Sequence, residues 1–237
     1  MRAWWTEFAG LVLPVDCAGC GRPRTALCGG CGELLGSPDG AAVRRVRPDP
    51  APSGLPVVHA AAVYADEVRA VVLAHKERGA LGLARPLGAA LAGAVLRMGA
   101  VGPLLLVPVP SARRTVAARG HDATRRIARC AAAELRRSGR RARVAAVLRH
   151  GRAVADQTGL SGRERLANLS GAVVAARGCR GLLEVAPVVL VDDLMTTGAS
   201  LAEAARAVEA AGGRIAGAAV VAGPAETELW SGGRRCS

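Results

Sequence analysis

The sequence predicts an α/β protein, with a mainly parallel twisted sheet flanked by helices and a small N-terminal metal-binding ribbon. Three observations carry this. From Pro56 onward, apolar strand-like runs alternate with stretches of helical periodicity. The run Val188–Val191 is apolar throughout and stops abruptly at two acids, as a strand buried on both faces does. Four of the seven cysteines form two closely spaced CxxC pairs near the start. Hydrophobic residues make up 51% of the chain and aromatics only 2%, so the core must be built from Ala, Val and Leu.

Taken in order, residues 1–35 read as an apolar lead followed by a cysteine knuckle. Residues 36–56, rich in Pro, Gly, Ser and Arg, read as a linker with SPDG and PDPAPSG turn signals. Residues 57–223 form the main domain, and 224–237 a tail. Its strand candidates are Val57–Tyr64, Leu104–Val109, Ala142–Leu148, Gly171–Ala175, Val188–Val191 and Ile215–Val221. Three sets recur at helical spacing: Leu83, Leu87, Leu91 and Val95; Ala123, Ile127, Ala131 and Leu135; and Leu201, Ala205, Val208 and Ala211. Gly212 and Gly213 close the last of these helices. In such sheets ligands sit beyond the carboxyl ends of the strands.

Cys17-Ala18-Gly19-Cys20 and Cys28-Gly29-Gly30-Cys31 can surround one tetrahedral Zn²⁺, with glycines letting the backbone fold around it. A redox dithiol or an eroded site are the other readings. Cys130, Cys179 and Cys236 have no partner spacing, and Cys130 falls in a helical core pattern.

The formal charge of +13 favours polyanionic partners such as nucleic acid or phosphate esters. Lys76 is the only lysine, however, and an Ala-, Gly- and Arg-rich composition is also what coding bias produces. No apolar run approaches the roughly 18–20 residues of a membrane span. Glu7 and Asp16 spoil a resemblance of the first residues to an export signal, so the expected location is the cytoplasm.

The chemistry concentrates in VVLVDDLMTTGASL, residues 188–201. Adjacent acids at a strand's carboxyl end are costly unless they meet cations or hydroxyls. Met195, Thr196, Thr197, Gly198, Ala199 and Ser200 then supply a turn with hydroxyl donors, inward N–H groups and the positive end of a new helix, a phosphate cradle beside a carboxylate pair. The bland alternative is an N-capped helix start, with Thr197 or Ser200 as cap. Upstream, Leu104–Val109 leads into Pro110, Ser111, Ala112 and Arg113, followed by Arg114; arginine forks there suit a diphosphate. Arg119-Gly120-His121-Asp122 opens a helix whose exposed side carries Arg125, Arg126, Arg129, Arg136 and Arg137. Residues 149–171 read as a lid-like loop, with Gln157, Arg163, Arg165 and Asn168 as polar contributors; a plain surface loop is the alternative.

The 188–201 segment resembles the 5-phosphoribosyl-1-pyrophosphate (PRPP) signature of type I phosphoribosyltransferases. The resemblance implies that Asp192 and Asp193 hold the ribose hydroxyls with Mg²⁺ nearby, that residues 195–200 bind the 5-phosphate, and that Pro110–Arg113 form the pyrophosphate loop. The order of CxxC…CxxC, HKERG, VPVP, RGHD, QTGLSGRERLANLSGA and VVLVDDLMTTGAS is similar to that of the ComF family, phosphoribosyltransferase-like proteins linked to DNA uptake. Lys76 falls in that family's Lys-Tyr-Arg-Gly-like element, here Lys76-Glu77-Arg78-Gly79. Two departures stand out. The family's Arg-Gly-Phe-Asn-Gln is here Arg119-Gly120-His121-Asp122-Ala123, and the aromatic expected after Asn168 is replaced by Gly171-Ala172-Val173.

Three functions are compatible with these motifs. One is phosphoribosyl transfer to an unidentified acceptor. A second is a factor contacting single-stranded DNA or the uptake machinery, against which the scarcity of aromatics for base stacking counts. The third is a sensor that reads PRPP without turnover.

Overall fold

In a computed structural model, residues 15–36, 38–152 and 171–225 are described. The expected sheet is present. Among the described residues eight strands form, in chain order: β1 (Arg44–Val46), β2 (Val58–Val63), β3 (Leu104–Pro108), β4 (Ala142–Val144), β5 (Leu148–His150), β6 (Val173–Ala175), β7 (Val188–Leu194) and β8 (Ile215–Gly223). Six of them make one sheet in the order β1-β2-β8-β7-β3-β4, parallel except for β1, which pairs antiparallel with β2. The α-helices among the described residues are α1 (Gly29–Leu34), α2 (Asp66–Glu77), α3 (Ala84–Arg97), α4 (Arg113–Arg119), α5 (Ala123–Arg137), α6 (Arg180–Glu184) and α7 (Ala199–Ala210).

Alternation along the central strands divides the core in two. Val189 and Val191 of β7 face Val71, Leu87, Leu91, Ile127 and Leu135 of α2, α3 and α5. Val188 and Leu190 face Leu183 of α6 and Leu201 and Val208 of α7 on the other side. Small residues let these layers close. A Cβ placed on Gly88 of α3 would lie 2.4 Å from the Cβ of Cys130 and 2.9 Å from the Ala131 nitrogen, so α3 and α5 touch backbone to backbone. Cys130 thus belongs to a helix interface, as its spacing implied.

The structure departs from the sequence expectation in four places. The 36–56 stretch contains strand β1, an edge strand whose Arg44 guanidinium donates to the Ala62 and Gly223 carbonyls at 3.3 Å. The 142–148 run divides after β4, and the chain then enters β5, which pairs with β6 in a separate two-stranded antiparallel sheet. β7 continues through Asp192 and Asp193 to Leu194, so both acids belong to the strand itself. Helices α1, α2, α4 and α6 add to the three read from periodicity; in α2, Val68, Val71, Val72 and His75 are buried along one face. Among the described residues no single helix is long and apolar enough to cross a membrane.

Candidate functional site

The sheet order fixes where a ligand can sit. From β3 the chain passes through α4 and α5 to β4, at the outer edge. From β7 it passes through α7 to β8, in the opposite direction and over the opposite face. The neighbours β3 and β7 are therefore where the winding reverses, and such sheets bind ligands in the crevice beyond the carboxyl ends at that point. Pro108 pairs with Val191, and the Val109 N–H donates to the Val191 carbonyl at 2.9 Å. The loop beginning at Pro110 thus emerges beside Asp192 and Asp193.

The two acids are held differently. Asp193 is 2% exposed and meets Lys76 at the end of α2: the Lys76 Nζ donates to Oδ1 at 3.0 Å and lies 2.9 Å from Oδ2. Burial opposes the charge on Lys76, but the two aspartates outweigh it and raise its pKa, keeping it an ammonium. Asp192 is half-buried. Its Oδ1 accepts from the Asp193 N–H at 2.8 Å and from Thr124 Oγ1, in the first turn of α5, at 3.3 Å. Burial, and then the charge of Asp193, push Asp192 well above the usual carboxylate range. An acid so placed is stabilised by a cation or a hydroxyl donor arriving from the crevice.

Beyond β7 the turn is set by Gly198, which has φ 73° and precedes α7. A Cβ there would stand 3.0 Å from Leu55 and 3.4 Å from Pro48, so glycine serves both the left-handed backbone and the close approach of the 48–55 stretch. Met195 is buried and its N–H donates to the Ala222 carbonyl at 3.0 Å, anchoring the turn. Thr196 is exposed, Thr197 and Ser200 are half-buried, and Ala199 is buried, its N–H 3.5 Å from Thr197 Oγ1. No acid occupies the first turn of α7, which leaves its positive end uncompensated by its own helix.

Pro110, Ser111 and Ala112 are half-buried, and Arg113 is exposed at the start of α4. His150 of β5 spans to this loop, its Nε2–H donating to the Pro110 carbonyl at 3.0 Å. The β5–β6 pair is in turn clamped to α7: Glu203, buried, accepts from the Val173 N–H at 3.0 Å, while Arg206 bonds both Glu203 and the Val173 carbonyl. Burial disfavours the Glu203 charge, but the hydrogen bonds from Arg206 and Val173 outweigh it and hold the carboxyl below its usual range. Gln157, Arg163, Arg165 and Asn168 lie outside the described residues.

HKERG and RGHD meet in space. Arg119 at the end of α4 forks onto Glu77, with its Nε donating to Oε2 at 2.7 Å. His121 places Nε2 3.1 Å from the His75 carbonyl and Nδ1 3.0 Å from the Arg119 carbonyl, so it braces the site instead of pointing into it. Asp122 caps α5 by accepting from the Arg125 N–H at 2.9 Å. Sequence reasoning missed Thr124 and the Glu203–Arg206 clamp. The i, i+3 spacing of Glu203 and Arg206 was the visible signal for the second; no local pattern marked the first.

The four cysteines come together as the spacing required: all four Sγ atoms lie within 4.8 Å of one another, and Cys20 and Cys28 are 3.6 Å apart. Tetrahedral Zn–S bonds of about 2.3 Å put sulfurs roughly 3.8 Å apart, so the cluster fits zinc. Burial pushes the Cys17 thiol up, but N–H groups of Cys28, Cys20 and Gly19 and the Cys31 thiol bring it down to about 6. Cys28 is also lowered, chiefly by the Cys31 N–H, whereas burial and the neighbouring sulfurs push Cys31 up to about 12. Four thiolates could share this space only with a cation between them. A Cβ on Gly19 would lie 2.7 Å from Cys31 Sγ, which explains the glycine.

No protein-family model matches the chain, and no curated protein matches it.

Three outcomes follow from this geometry. Purified protein should carry about one zinc per chain by elemental analysis, and Cys17→Ser should lose it. Lys76→Met strands a buried carboxylate and should lower the urea unfolding free energy by about 2–4 kcal/mol, with Lys76→Met/Asp193→Asn recovering most of the loss. A double mutant no better than the single one would show that the stranded carboxylate is not what destabilises Lys76→Met. Glu203→Gln should cost about 1–2 kcal/mol at neutral pH. Because the folded carboxyl titrates below the unfolded value of about 4.3, wild type keeps its advantage above that pH and loses it as pH falls through the folded value. Thermal midpoints of both proteins should therefore converge as the pH falls through that folded value, by the same linkage.

Proposed function

We propose that this chain is a ComF-like protein of type I phosphoribosyltransferase fold that binds PRPP with Mg²⁺ at the β3–β7 crevice and transfers the phosphoribosyl group. The observation that carries the reading is the meeting, at the winding reversal, of two loops separated by some eighty residues: the Pro110–Arg113 loop and the 192–200 turn. A ribose phosphate needs hydroxyl acceptors, a phosphate cradle and cations for a diphosphate within one ligand's length. Asp192, the 196–200 turn and Arg113 are the candidates for these three roles.

The roles of the two acids follow from their surroundings. Asp193 is committed to Lys76, and its part is to fix the ammonium and the strand end. Asp192 is the acid available to ribose hydroxyls, with Thr124 orienting it. Mg²⁺ suits this donor set: a hard cation that takes one or two carboxylates and completes its shell with phosphate oxygens and water. When bound it would neutralise the diphosphate as the bond from ribose C1 to the leaving oxygen breaks. Arg113 and the positive end of α7 add fixed charge where the phosphates lie.

Turnover and sensing share this site. The departure at Arg119–Ala123 removes the family's usual Phe-Asn-Gln and substitutes His121 and Asp122, both spent on bracing and capping. Sensing remains the second reading for that reason. Calorimetry with PRPP and Mg²⁺ should show binding to wild type, weakened about tenfold or more in Asp192→Asn by loss of a charged hydrogen bond. An absence of heat with wild type would sink the reading. Pyrophosphate release across a panel of nucleobases and amines then separates transferase from sensor.

A further inference from the structure

Two short strands connect α7 to the Pro110–Arg113 loop. A two-stranded sheet with three residues per strand is marginal on its own, so β5 and β6 lie where their anchors hold them. The anchors fall on one register pair, His150 of β5 opposite Val173 of β6. Val173 turns both its N–H and its carbonyl outward to α7, to Glu203 at 3.0 Å and to Arg206 at 2.8 Å. The pair is therefore one that exchanges no backbone hydrogen bonds, the kind in which the two side chains lie closest. The next pair along is bonded, with the Gly151 N–H donating to the Ala172 carbonyl at 2.8 Å. From α7, whose first residues Ala199 and Ser200 belong to the 192–200 turn, the path to Pro110 thus runs through two facing residues.

The His150 Nδ1 is buried without a partner among the described residues, so Nε2 alone makes the ring's polar contact, with the Pro110 carbonyl. The Pro110–Ser111 bond is trans, and in a trans peptide the C=O and N–H point in opposite directions. Holding the Pro110 carbonyl on β5 therefore turns the Ser111 N–H away from β5. Among the described residues that N–H meets no backbone carbonyl. A carbonyl facing a diphosphate repels it, whereas a backbone N–H makes a strong charge-assisted bond to its oxygens. We propose that His150 is a positioning residue for diphosphate binding, fixing the Pro110 peptide so that the loop presents the Ser111 N–H beside Arg113. The assignment rests on the ribose phosphate reading above, and His150 acts through Pro110.

Inorganic pyrophosphate with Mg²⁺ and ribose 5-phosphate probe the two halves of the site separately, by calorimetry on the full chain. Wild type should bind both. His150→Phe keeps a ring and loses the donor. It should weaken pyrophosphate about tenfold, the worth of one misdirected hydrogen bond to a charged group, and leave ribose 5-phosphate unchanged. His150→Ala makes the same comparison with the ring removed, and circular dichroism checks that each variant folds. His150→Gln, whose amide can donate to the same carbonyl, should recover most of the pyrophosphate affinity. A loss shared equally by the two ligands, or no rescue by Gln, would make His150 a structural support only and overturn the proposal. Pyrophosphate binding indifferent to the loss of the donor would overturn it as well. Wild type that takes ribose 5-phosphate but no pyrophosphate overturns the positioning role and leaves the ribose site standing. Wild type that takes neither overturns the ribose phosphate reading itself, and the positioning role with it.

Discussion

The buried contact between Lys76 and Asp193 is the constraint on which the rest of the site depends. A carboxylate 2% exposed at the end of a central strand would be strongly destabilising without a cation, and the chain's single lysine supplies one. To do so, the end of α2 must lie over the carboxyl end of β7. That position is then reinforced twice over, by Glu77 on Arg119 of α4 and by the His75 carbonyl on His121. Thr124, two residues after the Asp122 cap, reaches Asp192 from the same α5 start. One ion pair therefore organises three helix ends around two adjacent residues of one strand.

This arrangement resolves the cost of placing two acids side by side. The two carboxyls still interact, the charge of Asp193 adding to burial in raising Asp192, but their partners differ: Lys76 for one, Thr124 for the other. One is neutralised and structural, and the other keeps a raised affinity for protons that a cation or hydroxyl ligand can exploit. Lys76 separates the roles by chemistry instead of by distance.

Legibility in the sequence followed the range of the interactions. β7 was readable because burial on both faces leaves no polar residue in Val188–Val191, and α3, α5 and α7 because one apolar face repeats at helical spacing. The cysteine cluster was readable because ligand spacing within each pair is local. What was missed depends on distant partners. The three-residue β1 has meaning only against β2, and the Pro- and Gly-rich sequence around it argues for a loop. The division of 142–148 into β4 and β5 follows from the Ala145 N–H reaching the Leu106 carbonyl before the chain turns to pair with β6, which no local pattern encodes. Lys76 was singled out by its neighbours Glu77-Arg78-Gly79, yet its partner stands 117 residues away and appears only in the fold.

The cysteine knuckle connects to the same network through α2. Gly19 brings the first CxxC turn to within 3.1 Å of the Glu67 Cβ, measured from where its own Cβ would be, and Leu35, just past α1, is buried in the main core beside Val68, Val71 and Val72. The knuckle is therefore not a tethered appendage but a cap on the beginning of α2. A helix of 12 residues spans about 18 Å, and its other end carries Lys76. A knuckle of this size has little core of its own, so a metal held by its four cysteines would fix its shape. Such a metal at one end of α2 would steady the helix that, at the other end, carries Lys76 to Asp193.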